Sequence, residues 1–157
     1  MTDHVSVGPE TVEVRGLRHS LVAGERYSLE CRAVGSRPPP SISWRLGSSL
    51  INVLQTRLET SHDNNVTTST ISLLAEPHHH GQTISCAAGV PGLTNSTMET
   101  TRSLNVHFMN SARLRLGSSM RLGEVKEGDD VYLECEVESN PRPERVSWFR
   151  NVSDLHC

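Results

Sequence analysis

A chain of 157 residues suits one large domain or one and a half small ones. With 15 Lys and Arg against 18 Asp and Glu, its net charge of −3 gives no basic field for nucleic acid or anionic lipid. Aromatic residues make up only 4% of the chain, so its core is light and gains from a covalent cross-link.

Met1-Thr2-Asp3-His4 opens no basic region, and no apolar run of signal-peptide length follows. No later stretch approaches the ~18–20 apolar residues of a membrane span. The first strand is expected over Thr11–Val14, with Val12 and Val14 facing in. Gly24 turns into a second strand over Arg26–Val34, where Tyr27, Leu29, Cys31 and Ala33 alternate with Ser28, Glu30 and Arg32. Gly35-Ser36-Arg37-Pro38-Pro39-Pro40 is a loop, because its prolines lack the N–H that a ladder needs. Ser41–Leu46 is the next strand, with Ile42, Trp44 and Leu46 on one face. A weak strand follows between Gly47 and Leu54, then another over Arg57–Thr60, and His62-Asp63-Asn64-Asn65 turns the chain. Val66–Leu74 is a strand with Ser69, Ile71 and Leu73 inward. After a corner over Glu76–Gly81, Gln82–Ala88 places Ile84, Cys86 and Ala88 inward. Gly89–Thr97 is a loop, and Thr100–Phe108 closes the set with Leu104, Val106 and Phe108 inward.

Cys31 and Cys86 lie 55 positions apart, with Trp44 13 residues after the first. That is the framework of an all-β, immunoglobulin-like sandwich: a cysteine on strand B, its partner on strand F, and an indole from strand C against the bridge. Closing such a loop stabilises the fold by roughly 4 kcal/mol in the chain-entropy model and needs an oxidising compartment. Ile84 stands where many such domains carry a tyrosine at the E–F corner, which points to a constant-type subset. The expected location is extracellular or at the cell membrane, with signal peptide and membrane segment outside this chain. Asn65-Val66-Thr67, Asn95-Ser96-Thr97 and Asn151-Val152-Ser153 fit the N-glycosylation rule and agree with that route.

A second copy starts after Phe108. Gly128, Leu133-Glu134-Cys135 and Ser147-Trp148 repeat Gly24, Leu29-Glu30-Cys31 and Ser43-Trp44 at an offset of 104. The expected division is a complete domain over 9–108, a linker over 109–111 and a truncated domain over 112–157 holding strands A to C. In that reading Trp148 is a second core tryptophan, and Cys135 is unpaired because Cys157 comes too early to be a strand F partner.

The runs Leu114–Met120 (LRLGSSM), Glu127–Pro141 (EGDDVYLECEVESNP) and Val146–Asn151 (VSWFRN) resemble the arthropod Sidestep family of cell-surface proteins. So do Ala23–Trp44 and Asn64–Leu73, and the likeness covers about positions 9–151; a more distant one is to nephrin-type adhesion molecules. The resemblance implies the second and third immunoglobulin domains of a single-pass membrane protein acting in adhesion and axon guidance. It also implies immunoglobulin-domain partners of the Beaten path type.

Catalytic and metal chemistry find no support. His78-His79-His80 point different ways on an extended chain and make no tetrahedral shell alone. No nucleophile elbow, phosphate loop or HExxH motif is present. Neither a cofactor nor a metal is expected. The outward residues expected on the C–F–G sheet (Ser43, Arg45, Thr83, Ser85, Ser103, Asn105 and His107) are small or polar, so the stretch reads as a spacer. The alternatives are an intracellular, muscle-type structural immunoglobulin protein and a soluble immune-type receptor fragment.

Overall fold

The computed structural model describes residues 5–52, 56–61, 65–118, 120–121, 123–150 and 155–156. The chain forms two compact units, Met1–Val106 and His107–Cys157.

Unit 1 is an immunoglobulin-like sandwich of two antiparallel sheets. The first sheet holds β1 (Thr11–Arg15), β3 (Arg26–Val34), β7 (Val66–Leu74) and β6 (Thr56–Thr60), in the order β1-β3-β7-β6. The second holds β5 (Ser49–Leu50), β4 (Ser41–Leu46), β8 (Thr83–Gly89) and β9 (Met98–Ser103), in the order β5-β4-β8-β9. These are the A-B-E-D and C-F-G sets of a constant-type domain, with β5 as a short extra edge. The period-2 pattern decides which faces meet: Tyr27, Leu29, Cys31 and Ala33 of β3 are buried against Ile84, Cys86 and Ala88 of β8. Cys31 and Cys86 are joined by a disulfide, their Cα atoms 6.3 Å apart.

Three features depart from the sequence expectations. Leu21–Val22 forms a short strand, β2, whose Leu21 N–H donates to the Asn105 carbonyl at 2.8 Å. The last strand of unit 1 is interrupted: β9 ends at Ser103 and β10 (Val106–Leu116) begins afterwards. At the break Leu104 N–H donates to the Gln82 carbonyl while the Asn105 carbonyl serves Leu21, so the chain changes pairing partner there. Ser85, read as outward, is buried; it is a small side chain on a middle strand, flanked in register by Arg45 and Thr101.

In unit 2, β10 pairs antiparallel with β11 (Leu133–Asn140), from Phe108↔Asn140 to Leu116↔Leu133, with an irregularity between Met109 and Ser111. β12 (Phe149–Arg150) pairs antiparallel with β13 (Leu155–His156). Both copies build their B–C loop in one way: Ser36 Oγ donates to the Pro38 carbonyl at 2.9 Å, and Ser139 Oγ to the Pro141 carbonyl at 3.0 Å.

Two expectations for unit 2 are corrected. Trp148 is 47% exposed and not a core residue; the strand that follows it, β12, is two residues long and pairs with β13 alone among the described residues. Cys135 is disulfide-bonded and not free; its partner lies outside the described residues. The sequence left Cys135 unpaired because Cys157 comes too early to be a strand F partner, but a disulfide needs only a cysteine within reach and not one on strand F.

Candidate functional site

The bridge of unit 1 is set in a frame of four residues. Cys31 stands beside Ser69 in the β3–β7 register, and Trp44 beside Cys86 in the β4–β8 register. The Trp44 indole N–H donates to Ser69 Oγ at 3.0 Å, so a hydrogen bond crosses between the sheets next to the disulfide. Both side chains are buried, at 1% and 2% exposure. The sequence placed Ser69 inward without a role, and the indole, which must find an acceptor when buried, supplies one.

The E–F corner is held by histidines where other domains use tyrosine. Pro77–His79 forms a single 3-10 turn. His79 is buried, and its Nδ1 accepts the Glu76 N–H at 3.2 Å. His80 Nδ1 accepts the Val106 N–H at 3.3 Å, tying the corner to the start of β10. Gly81, at φ 78°, then donates its N–H to the Leu104 carbonyl, a left-handed turn that favours glycine. Burial and then the neighbouring His78 hold the His79 pKa below its ordinary 6.5, against the opposing pull of Glu76 and the Leu74 carbonyl.

Glu76, His78 and His79 bring three possible ligand atoms within 4.8 Å of one another. A neutral imidazole whose Nδ1 accepts a hydrogen bond carries its proton on Nε2. That is the His79 nitrogen facing Glu76 Oε2, at 3.7 Å. A metal there would displace that proton and reverse the tautomer that the Glu76 N–H fixes. The geometry therefore fits a structural corner better than a metal centre.

The remaining candidate is the outer face of the β5-β4-β8-β9 sheet. Register places Leu50, Arg45, Ser85 and Thr101 in one row, and Ser43, Ala87 and Glu99 in the next. An open groove of about 340 Å³ lies on this face, lined among others by Ser41, Ser43, Ala87, Gly89, Pro91 and Thr97. Gly89 has no room for a side chain, since a Cβ there would lie 2.6 Å from Thr97 Oγ1. The face is mostly polar. Both aromatic side chains of unit 1, Tyr27 and Trp44, are buried, so neither is offered to a partner. Leu50, 65% exposed, is the large apolar group of the first row.

The sequons fall in different settings. Asn95 is exposed in a turn at φ 59°, and Ser96 Oγ is engaged by the Val90 and Leu93 carbonyls. Asn65 is half-buried just before β7, its carbonyl accepting the Gly35 N–H. Asn151 lies outside the described residues.

Two facing antiparallel sheets, an inter-sheet disulfide with an indole beside it and a mostly polar outer face define an immunoglobulin-type module. Residues 5–97 match the model of the CD80-like C2-set immunoglobulin domain, more than half of the chain. The chain belongs to that family. Cell adhesion molecule 3 of Mus musculus is 25% identical over 148 residues, covering 93% of this chain and 36% of that protein. Cell adhesion molecule 1 of Homo sapiens is 26% identical over 146 residues, covering 93% and 32%. The solved full ectodomain (Ig1–Ig3) of mouse nectin-like molecule 4 superposes with a TM-score of 0.70 at 27% identity, covering 94% of this chain and 50% of that one. The chain spans about a third of the length of these two curated relatives.

Proposed function

We propose that this chain is a stretch of the extracellular part of an immunoglobulin-superfamily adhesion or recognition protein, and that it serves there chiefly as a spacer. The observation that carries the reading is likeness over 93% of the chain to proteins named cell adhesion molecules. The Cys31–Cys86 bridge supports it, because such bonds persist in oxidising compartments. The spacer role is supported by the outer face of the β5-β4-β8-β9 sheet, where no aromatic anchor is available to centre an interface. Partners of the whole protein are, in this reading, other immunoglobulin-superfamily cell-surface proteins. Its role is binding and not chemical.

The finer form of the proposal follows the Sidestep resemblance of Glu127–Pro141 and Val146–Asn151: a membrane-anchored protein of axon guidance with Beaten path-type partners. Within it, 9–108 is one complete domain, 109–111 a linker and 112–157 part of the next. Asn95 and Asn151 carry N-glycans.

Thiol counting on the protein in the cells that make it, combined with surface biotinylation, tests the reading. Surface-labelled protein without free thiols at Cys31 and Cys86 supports it. An unlabelled protein with both thiols reduced overturns it in favour of the intracellular structural alternative.

A further inference from the structure

We infer that Asn65 is an N-glycan attachment site, and that the hydroxyl of Thr67 serves this modification and not the fold. Thr67 and Ser69 sit on the same inward face of β7, exposed 1% and 2%. Ser69 has a structural use, since its Oγ accepts the Trp44 indole N–H. Thr67 has none. Among the described residues, its Oγ1 is the buried side-chain polar atom without a hydrogen-bond partner. A buried, unpaired hydroxyl loses its hydration and regains nothing. Valine has the same branched shape, favours strands at least as well and carries no such group.

The hydroxyl is required elsewhere. An N-glycosylation acceptor is Asn-X-Ser/Thr, and Asn65-Val66-Thr67 places Thr67 at its third position. In the transfer, the Asn65 side-chain nitrogen attacks C1 of a lipid-diphosphate-linked oligosaccharide. The N–C1 bond forms and the C1–O bond to diphosphate breaks. The lipid diphosphate leaves with the electron pair, and the amide proton passes to a base of the transferase. Once β7 pairs with β3 and β6, Thr67 is closed off between Ala33 and Thr60. The sequon is therefore readable only before this sheet forms. The sequon at Asn95 differs, because its Thr97 stays exposed after folding.

The inference rests on the extracellular reading for the glycan, but its physical half does not. The 157-residue chain is made in two ways, secreted from insect cells behind an added signal and refolded from bacteria without glycans. Wild type is compared with Thr67→Val, Thr67→Ser and Asn65→Gln. Enzymatic deglycosylation in heavy-oxygen water, read by mass spectrometry, is expected to mark position 65 in secreted wild type and Thr67→Ser, and not in Thr67→Val or Asn65→Gln. Unglycosylated Thr67→Val is expected to melt about 4 °C or more above unglycosylated wild type. An unmarked Asn65 in secreted, oxidised wild type overturns the inference. So does a Thr67→Val variant that melts at or below wild type, which gives the hydroxyl a role in the fold. Reduced thiols in the native cell, by contrast, overturn the extracellular reading and leave the melting comparison intact.

Discussion

Trp44 on β4 and Ser69 on β7 make a hydrogen bond of 3.0 Å from one sheet to the other, beside the Cys31–Cys86 disulfide. Register explains the proximity: Ser69 is the β7 neighbour of Cys31, and Trp44 the β4 neighbour of Cys86. Ser69→Ala strands the buried indole N–H. The expected loss is about 1–3 kcal/mol, the cost of an unsatisfied buried donor. Urea denaturation of the two proteins checks it, and equal midpoints would show that the indole finds another acceptor.

Replacing both Cys31 and Cys86 by alanine removes the covalent link but keeps that hydrogen bond's partners. The expected destabilisation is about 2–5 kcal/mol, as for native bridges of small secreted domains. The same denaturation experiment on a Cys135→Ala protein, which lacks the second bridge, with and without reductant gives an independent value. Agreement between the two places the effect in the bond and not in the substituted side chains.

The histidine corner predicts a pH dependence. The His79 pKa is lowered in the folded chain, so the unfolded chain binds more protons between the two values. Stability from this group is complete above the unfolded value and is lost as pH falls through about 6.5 toward the folded value. Protonation also removes the Nδ1 acceptor of the Glu76 N–H. His79→Gln is therefore expected to flatten the fall in stability between about pH 7 and pH 5. Melting temperatures across that range check the slope; a variant as steep as wild type places the titration elsewhere.

The strands with strong period-2 patterns were legible in the sequence to the residue. Arg26–Val34, Ser41–Leu46 and Val66–Leu74 stand as read, because in each the more buried residues fall at alternate positions. Features made by distant contacts were not legible. The two-residue β2 exists because Leu21 finds Asn105, and the break before β10 has the same cause. The histidines showed no structural role in the sequence because only the fold brings His80 against Val106. Trp148 repeats Trp44 in sequence but not in burial, since an indole becomes core only when a second sheet covers it. Cys135 shows the related error: strand order suggested which partner it lacked, and not which one it has. Thr67 had a visible sequon, but the lack of any other use for its hydroxyl emerges only from the packed sheet.

The spacer reading meets its most direct test in the affinity of the secreted, disulfide-bonded 157-residue chain, immobilised and probed by surface plasmon resonance with itself and with a panel of immunoglobulin-superfamily ectodomains. The account predicts no association at about micromolar strength or tighter. Binding of that strength, abolished by Arg45→Ala or Leu50→Ala on the outer face of the β5-β4-β8-β9 sheet, would contradict it and make that face the recognition surface.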